Sequence, residues 1–144
     1  MKNTLLVLLS LIMIVFSTSA FTEEVGVIVE RDGRWYELFT STLANGQYET
    51  YHENGQLRTR ATTKDGKLNG LIESYFDNGQ LKSRGTYKDG IRHGLFEFYY
   101  DNGQLEARAT IKRGRQEGLY VRYNKDGTLE SKCFYVNGKK YECE

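Results

Sequence analysis

The sequence predicts an all-β fold: an elongated single antiparallel sheet made of successive β-hairpins. Three observations carry this. A 24-residue pattern recurs in register from Gly46 to the end of the chain without a gap. Within each copy, apolar and polar side chains alternate between two glycine-marked turns, which is the period of a half-buried strand. Proline, which withholds the N–H that a strand ladder needs, is absent.

Residues 1–20 read as a signal peptide ahead of that fold. Met1-Lys2 is a short basic start, Leu5 to Phe16 is an apolar run broken by Ser10, and Thr18 and Ala20 stand at the −3 and −1 positions of a cleavage site. A bilayer-spanning helix needs about 20 apolar residues, more than this run supplies. Cleavage near Ala20 is therefore expected, which makes the mature protein exported, either periplasmic or secreted. Loss of Lys2 leaves 19 basic against 19 acidic residues, from 20 and 19 in the whole chain. That balance gives no reason to expect nucleic acid as a partner. With 13% aromatic and 27% charged residues, the composition is that of a globular chain.

Residues 21–45 form an atypical N-terminal cap or decayed repeat. Gly33 and Trp35 match Gly55 and Leu57 of the first full copy, with two residues missing. An end unit must cover an otherwise bare face, so divergence is expected there.

Residues 46–144 form the repeat domain, with four units starting near Tyr51, Tyr75, Tyr99 and Tyr123. Gly55, Gly79, Gly103 and Gly127 mark one turn, Gly66, Gly90, Gly114 and Gly138 a second, and Gly46, Gly70, Gly94 and Gly118 open the units. Asn-Gly accepts the positive φ of a tight hairpin. Leu105, Ala107, Ala109 and Ile111 fall on one side of a strand, and Glu106, Arg108, Thr110 and Lys112 on the other. The small residues at 107 and 109, matched by Thr59 and Ala61, Ser83 and Gly85, and Ser131 and Cys133, leave room for aromatics to cover a sheet that has no second sheet to pack on.

Two registers fit the first turn. A two-residue turn at Asn78-Gly79 sets Glu73 against Arg84, and likewise Glu49 against Arg60 and Glu97 against Arg108. A three-residue loop closed by Gly79 with a bulge sets Tyr75 against Leu81 and puts the repeated Tyr and Leu on one face.

Cys133 and Cys143 lie five residues either side of Gly138. In an exported chain such a pair forms a disulfide, here clamping the last hairpin. A redox-active pair would need a CxxC or an electropositive helix start, and neither is present. Zinc would need more ligands than these two with the distant His52 and His93. No metal or cofactor is expected.

The columns Y-x-x-N-G-x-L, K-x-G and G-L resemble the MORN-repeat variant family of bacterial proteins, well from Gly46 onward and weakly over Val25–Ala44. The resemblance implies an elongated antiparallel sheet of hairpins. Many members are labelled the antitoxin component of a toxin–antitoxin system, and MORN repeats are more broadly associated with protein contacts and phospholipid binding. An export signal does not suit a cytoplasmic antitoxin. In the last unit, Asp126-Gly127 replaces Asn-Gly and Cys143 takes the place of Leu119.

Two surfaces are candidates for binding. Arg60, Arg84, Arg108 and Lys132 fall in register, as do Lys64, Lys88 and Lys112. Hairpins repeating every roughly 9–10 Å make these rows of cations that can meet an anionic lipid or glycan, or be neutralised by the glutamate column. Tyr48, Phe96 and Tyr120, in one column with Ile72, have parity opposite to the Tyr51 column, and one of the two columns is a candidate for an exposed partner-binding row. No catalytic constellation is present. His52 and His93 are not equivalent within their units, Asp65 and Asp89 are turn residues, and Ser41, Ser74, Ser83 and Ser131 lack a nucleophile-elbow context. The expected function is a non-catalytic, exported repeat scaffold that binds another protein. The alternatives are an antitoxin or immunity-type protein, or binding of anionic lipid or glycan through the basic row.

Overall fold

The computed structural model describes residues 28–37 and 44–144, and all their regular structure is β. The signal-peptide expectation at 1–20 lies outside these residues. β1 (Ile28–Arg31) and β2 (Arg34–Glu37) form a hairpin. The remaining strands are β3 (Gly46–Tyr51), β4 (Leu57–Lys64), β5 (Lys67–Tyr75), β6 (Leu81–Lys88), β7 (Ile91–Arg92), β8 (Gly94–Tyr99), β9 (Leu105–Lys112), β10 (Arg115–Tyr123), β11 (Leu129–Val136) and β12 (Lys139–Cys143). They form one open antiparallel sheet in chain order, with β7 and β8 both pairing with β6. Apart from β6 and β8, between which the short β7 falls, every hydrogen-bonded neighbour is a neighbour in sequence.

The two turn classes differ in physics. At one edge the loops are two residues long, with positive φ at both, as in Asp65 (φ 50°) and Gly66 (φ 71°) between Lys64 and Lys67. This is the type I′ geometry whose twist matches the strands. At the other edge, Phe76 N donates to Gln80 O (2.8 Å) and Gly79 N to Phe76 O (3.0 Å), with Gly79 at φ 81°, a three-residue loop closed by a left-handed glycine. Asp32 and Gly33 carry the same signs of φ as Asp65 and Gly66. The cap hairpin therefore matches the type I′ turns, which corrects its expected alignment with Gly55.

Both registers occur. Glu73 faces Arg84 and Ser74 faces Ser83, then the register shifts and Tyr75 faces Leu81. The bulge beside the three-residue loop reconciles what looked like alternatives, and it recurs at Thr50/Tyr51, Phe98/Tyr99 and Arg122/Tyr123. A second irregularity lies between Ala61 and Thr63 opposite Gly70 (φ 117°), and again at Gly118. Gly70 and Gly118, which open two of the units, are thus bulge residues. Bulges of both kinds increase local twist, which helps a single-layer sheet bury one of its faces.

Units are stitched together at both edges. Asn54 Nδ2 donates to Asp77 O (2.7 Å), Asn78 Nδ2 to Asp101 O (2.9 Å) and Asn102 Nδ2 to Lys125 O (3.1 Å). Each Oδ1 meanwhile accepts from the backbone N of its own turn, at Gln56, Gln80 and Gln104. Asp126 keeps the second bond, to Thr128 N, and has no amide to donate; among the described residues no further loop of this class follows it. At the opposite edge Gly66, Gly90, Gly114 and Gly138 each donate to a carbonyl of the unit before, at Ala44, Leu68, Arg92 and Gln116. The cap joins this spine, with Trp35 N donating to Gly66 O and Ala44 N to Trp35 O. Trp35 also packs on the buried pair Ala44 and Tyr48.

Candidate functional site

The sheet has an aromatic face and a charged face. On the aromatic face, large residues lie over small ones on the adjoining strand: Tyr48 against Ala61, Ile72 against Gly85, and Tyr120 against Ala109 and Cys133. A Cβ built on Gly85 would lie 2.2 Å from Phe96 Cε1. Tyr87 meets Phe96 edge-on at 5.7 Å, and Tyr135 meets Tyr120 at 6.2 Å. Tyr48 and Phe96 are 3% and 6% exposed, and Tyr120 is half-buried. The expectation that this column offers a partner-binding row is thereby corrected: the small residues opposite let its rings lie flat and become core.

The charged face carries a row running across the strands: Glu49, Arg60, Glu73, Arg84, Glu97, Arg108, Val121 and Lys132, each the register partner of the next wherever both lie on adjoining strands. Arg60 Nε binds Glu49 Oε1 at 2.7 Å and its Nη1 reaches Glu73 Oε2 at 3.7 Å, and Arg84 Nε binds Glu97 Oε2. The tyrosines of the repeated column share this face. Tyr51, Tyr75 and Tyr99 hydroxyls donate to Glu49, Glu73 and Glu97 at 2.7, 3.1 and 3.2 Å. Burial acts to raise the Glu49 carboxyl, but hydrogen bonds from Tyr51 and Arg60 outweigh it and hold the group below the usual range. Burial, with the carboxylate beside each, pushes the Tyr75 and Tyr99 hydroxyls up.

Arg60 and Arg84 are thus spoken for, whereas Arg108 and the Lys132 ammonium make no hydrogen bond or ion pair among the described residues. Lys64, Lys88 and Lys112 sit exposed at the strand ends beside the type I′ turns, away from this row. Below the row, exposed apolar side chains alternate with Thr86 and Thr110 until Leu119 meets Phe134. Leu71, Leu95 and Phe134 are 49%, 50% and 48% exposed, and Leu119 faces Phe134.

Three of the side chains considered above for catalysis are engaged in structure. His52 Nε2 lies 3.0 Å from Tyr75 O, and the Ser74 and Ser83 hydroxyls lie 2.7 Å apart. Ser41 falls outside the described residues.

The sequence pattern of the MORN repeat variant matches residues 44–65, 68–89, 92–113 and 116–137, four consecutive units in the period of the hairpins. The chain belongs to the MORN repeat variant family. No curated protein sequence matches it. Among solved structures it is similar to the crystal structure of TarM, at 12% identity and a TM-score of 0.43, and to a mutant of S. aureus TarM in complex with fondaparinux, α-GlcNAc-glycerol and UDP, at 12% and 0.44. In each case 81% of this chain is covered and 21% of the other, so the chain spans about a fifth of their length.

The last MORN unit departs from the others in chemistry. Val121 stands where the other units have Glu49, Glu73 and Glu97, and it is 4% exposed. Cys133 occupies the small position of Ala61, Gly85 and Ala109, but no further aromatic follows to cover it. It is bonded to Cys143, ten residues on, with 4.1 Å between Cα atoms. A register shift after Phe134 aligns the two cysteines. The disulfide thus joins β11 to β12 on the aromatic face. Sequence reasoning named the cation row and the cysteines but passed over Val121, although its place 24 residues after Glu97 is readable.

Proposed function

We propose that this chain is an exported, non-catalytic MORN repeat scaffold that binds another protein along its charged face. The observation that carries the reading is the set of Leu71, Leu95, Leu119 and Phe134, left exposed beside an ordered row of charges. Folding gives these side chains no cover, and exposed large apolar side chains set among polar ones are what a protein interface uses. The ion pairs of Arg60 and Arg84 leave too few unpaired cations for a continuous basic strip, which favours a protein over an anionic lipid or glycan surface. A toxin held by an immunity-type scaffold is one partner of this kind, and growth arrest on deletion of the gene would identify it.

Cross-linking of the protein in its own envelope fraction, followed by mass spectrometry, tests the reading. Cross-links from one stoichiometric protein to β5, β8 and β10 are expected. Recovery in the cytoplasm, or cross-links spread over both faces with no recurring partner, would overturn it.

A further inference from the structure

The charge row alternates in sign from β3 to β12 except at one place. Read across the strands it runs Glu49, Arg60, Glu73, Arg84, Glu97, Arg108, Val121, Lys132. Glu144 then exchanges both backbone hydrogen bonds with Lys132, at 3.0 and 2.8 Å, and so stands opposite it. Only Val121 lacks the charge its position calls for. The two cations flanking it, Arg108 and Lys132, are its register partners on either side, and neither side chain has a partner among the described residues.

A groove of about 420 Å³ lies beside this position, lined by Leu119, Lys132, Phe134, Glu142, Glu144 and the two cysteines. Leu119 and Val121 are two apart on β10 and share a face, about 7 Å from each other. The groove carboxylates lie towards β12. Arg108 is three strands away from Glu144, about 14 Å, whereas Lys132 has Glu144 beside it on the adjoining segment.

We infer that the Val121 position is a docking site for an extended segment of a partner protein with an acidic residue at one position and a large apolar residue two positions on. The partner carboxylate completes the row above Val121 between Arg108 and Lys132, and the apolar side chain fills the groove over Leu119 and Phe134. Residues i and i+2 of an extended chain have the same 7 Å spacing, roughly, as Val121 and Leu119. With an uncharged Val121, no carboxylate of the chain stands between the two cations, and an incoming one can bridge them. A second copy of this chain docked about a two-fold axis at the centre of the row would set like on like, Glu49 on Glu144 and Arg60 on Lys132.

This rests on the protein-binding reading and locates its anchor. The test is an amide NMR titration of the purified, oxidised protein with a blocked pentapeptide, Ser-Glu-Ser-Leu-Ser, and the same peptide with Gln for Glu. Shifts should concentrate at Arg108, Leu119, Val121 and Lys132, and the Gln peptide should bind at least about tenfold more weakly, the loss of one charge-assisted pair. Val121→Glu supplies the chain's own carboxylate, as three other units do, so it should leave the remaining spectrum in place and weaken peptide binding by a similar factor. Equal binding by the Gln peptide, or undiminished binding by Val121→Glu, would overturn the site. So would Val121-dependent binding of phosphatidylserine vesicles without binding of the peptide. If the site fails while envelope cross-links still fall on Leu71 and Leu95, the scaffold reading stands and only this anchor is lost.

Discussion

The ring of Phe96 fills the space that a side chain on Gly85 would need, with 2.2 Å between its Cε1 and a Cβ built there. The contact explains why this column of the repeat holds only small residues. Gly85→Ala should force the ring out of place and cost about 1–3 kcal/mol by overpacking, read as a lowered urea midpoint. An unchanged midpoint would mean that the aromatic face is loosely packed.

The asparagine turns make a second, independent prediction. Asn78→Asp keeps the acceptor for Gln80 N but loses the donor to Asp101 O, at a cost of about 1 kcal/mol. Asp126→Asn has no equivalent carbonyl to reach among the described residues and should change stability by less than half of that. Urea unfolding of the two variants side by side checks the contrast.

Arg113 holds φ at 51°, in the turn position where the other units place Asp65, Asp89 and Asn137. Asn tolerates this conformation better than a long side chain does. Arg113→Asn should therefore raise stability by about 0.5–1 kcal/mol, visible as a higher thermal midpoint.

Stability should depend on pH at both ends of the scale. The Glu49 carboxyl is lowered from 4.5, so its contribution is present above that value and is lost as pH falls through the folded pKa. The Tyr75 and Tyr99 hydroxyls are raised from 10.0, so theirs is present below that value and is lost as pH rises through the folded pKa. Thermal midpoints across pH should form a plateau between these limits. Tyr75→Phe should blunt the alkaline edge, and Glu49→Gln the acid one.

Reduction of the Cys133–Cys143 bond should cost about 2–3 kcal/mol, given the short loop it closes. Because β12 is the last strand, hydrogen exchange should quicken there first while β4 to β6 stay protected. Uniform acceleration across the sheet would contradict a terminal clamp.

The period, the turns and the cysteine pair were legible in the sequence because each rests on local chemistry: Asn-Gly, alternation, and spacing about Gly138. Register was half legible. Glu73–Arg84 and Tyr75–Leu81 were seen as rivals, because a bulge between Ser74 and Tyr75 is a backbone event that no side-chain type marks. The bulges at Gly70 and Gly118 were hidden for the same reason, their glycines reading as simple unit boundaries. Which aromatic column is core depends on which one meets Ala61, Gly85 and Ala109 across the ladder, and that requires the register first. Val121 became meaningful only once Arg108 and Lys132 were fixed on either side of it.

Partner binding on the charged face and stability on the aromatic face are separable, and the double variant Leu71→Ser, Leu95→Ser separates them. Both side chains are about half exposed, so the thermal midpoint should move by no more than a surface substitution does, about 0.5 kcal/mol each. Envelope cross-linking of this variant should recover the protein folded and without its partner. A partner retained in full would contradict the assignment of the charged face.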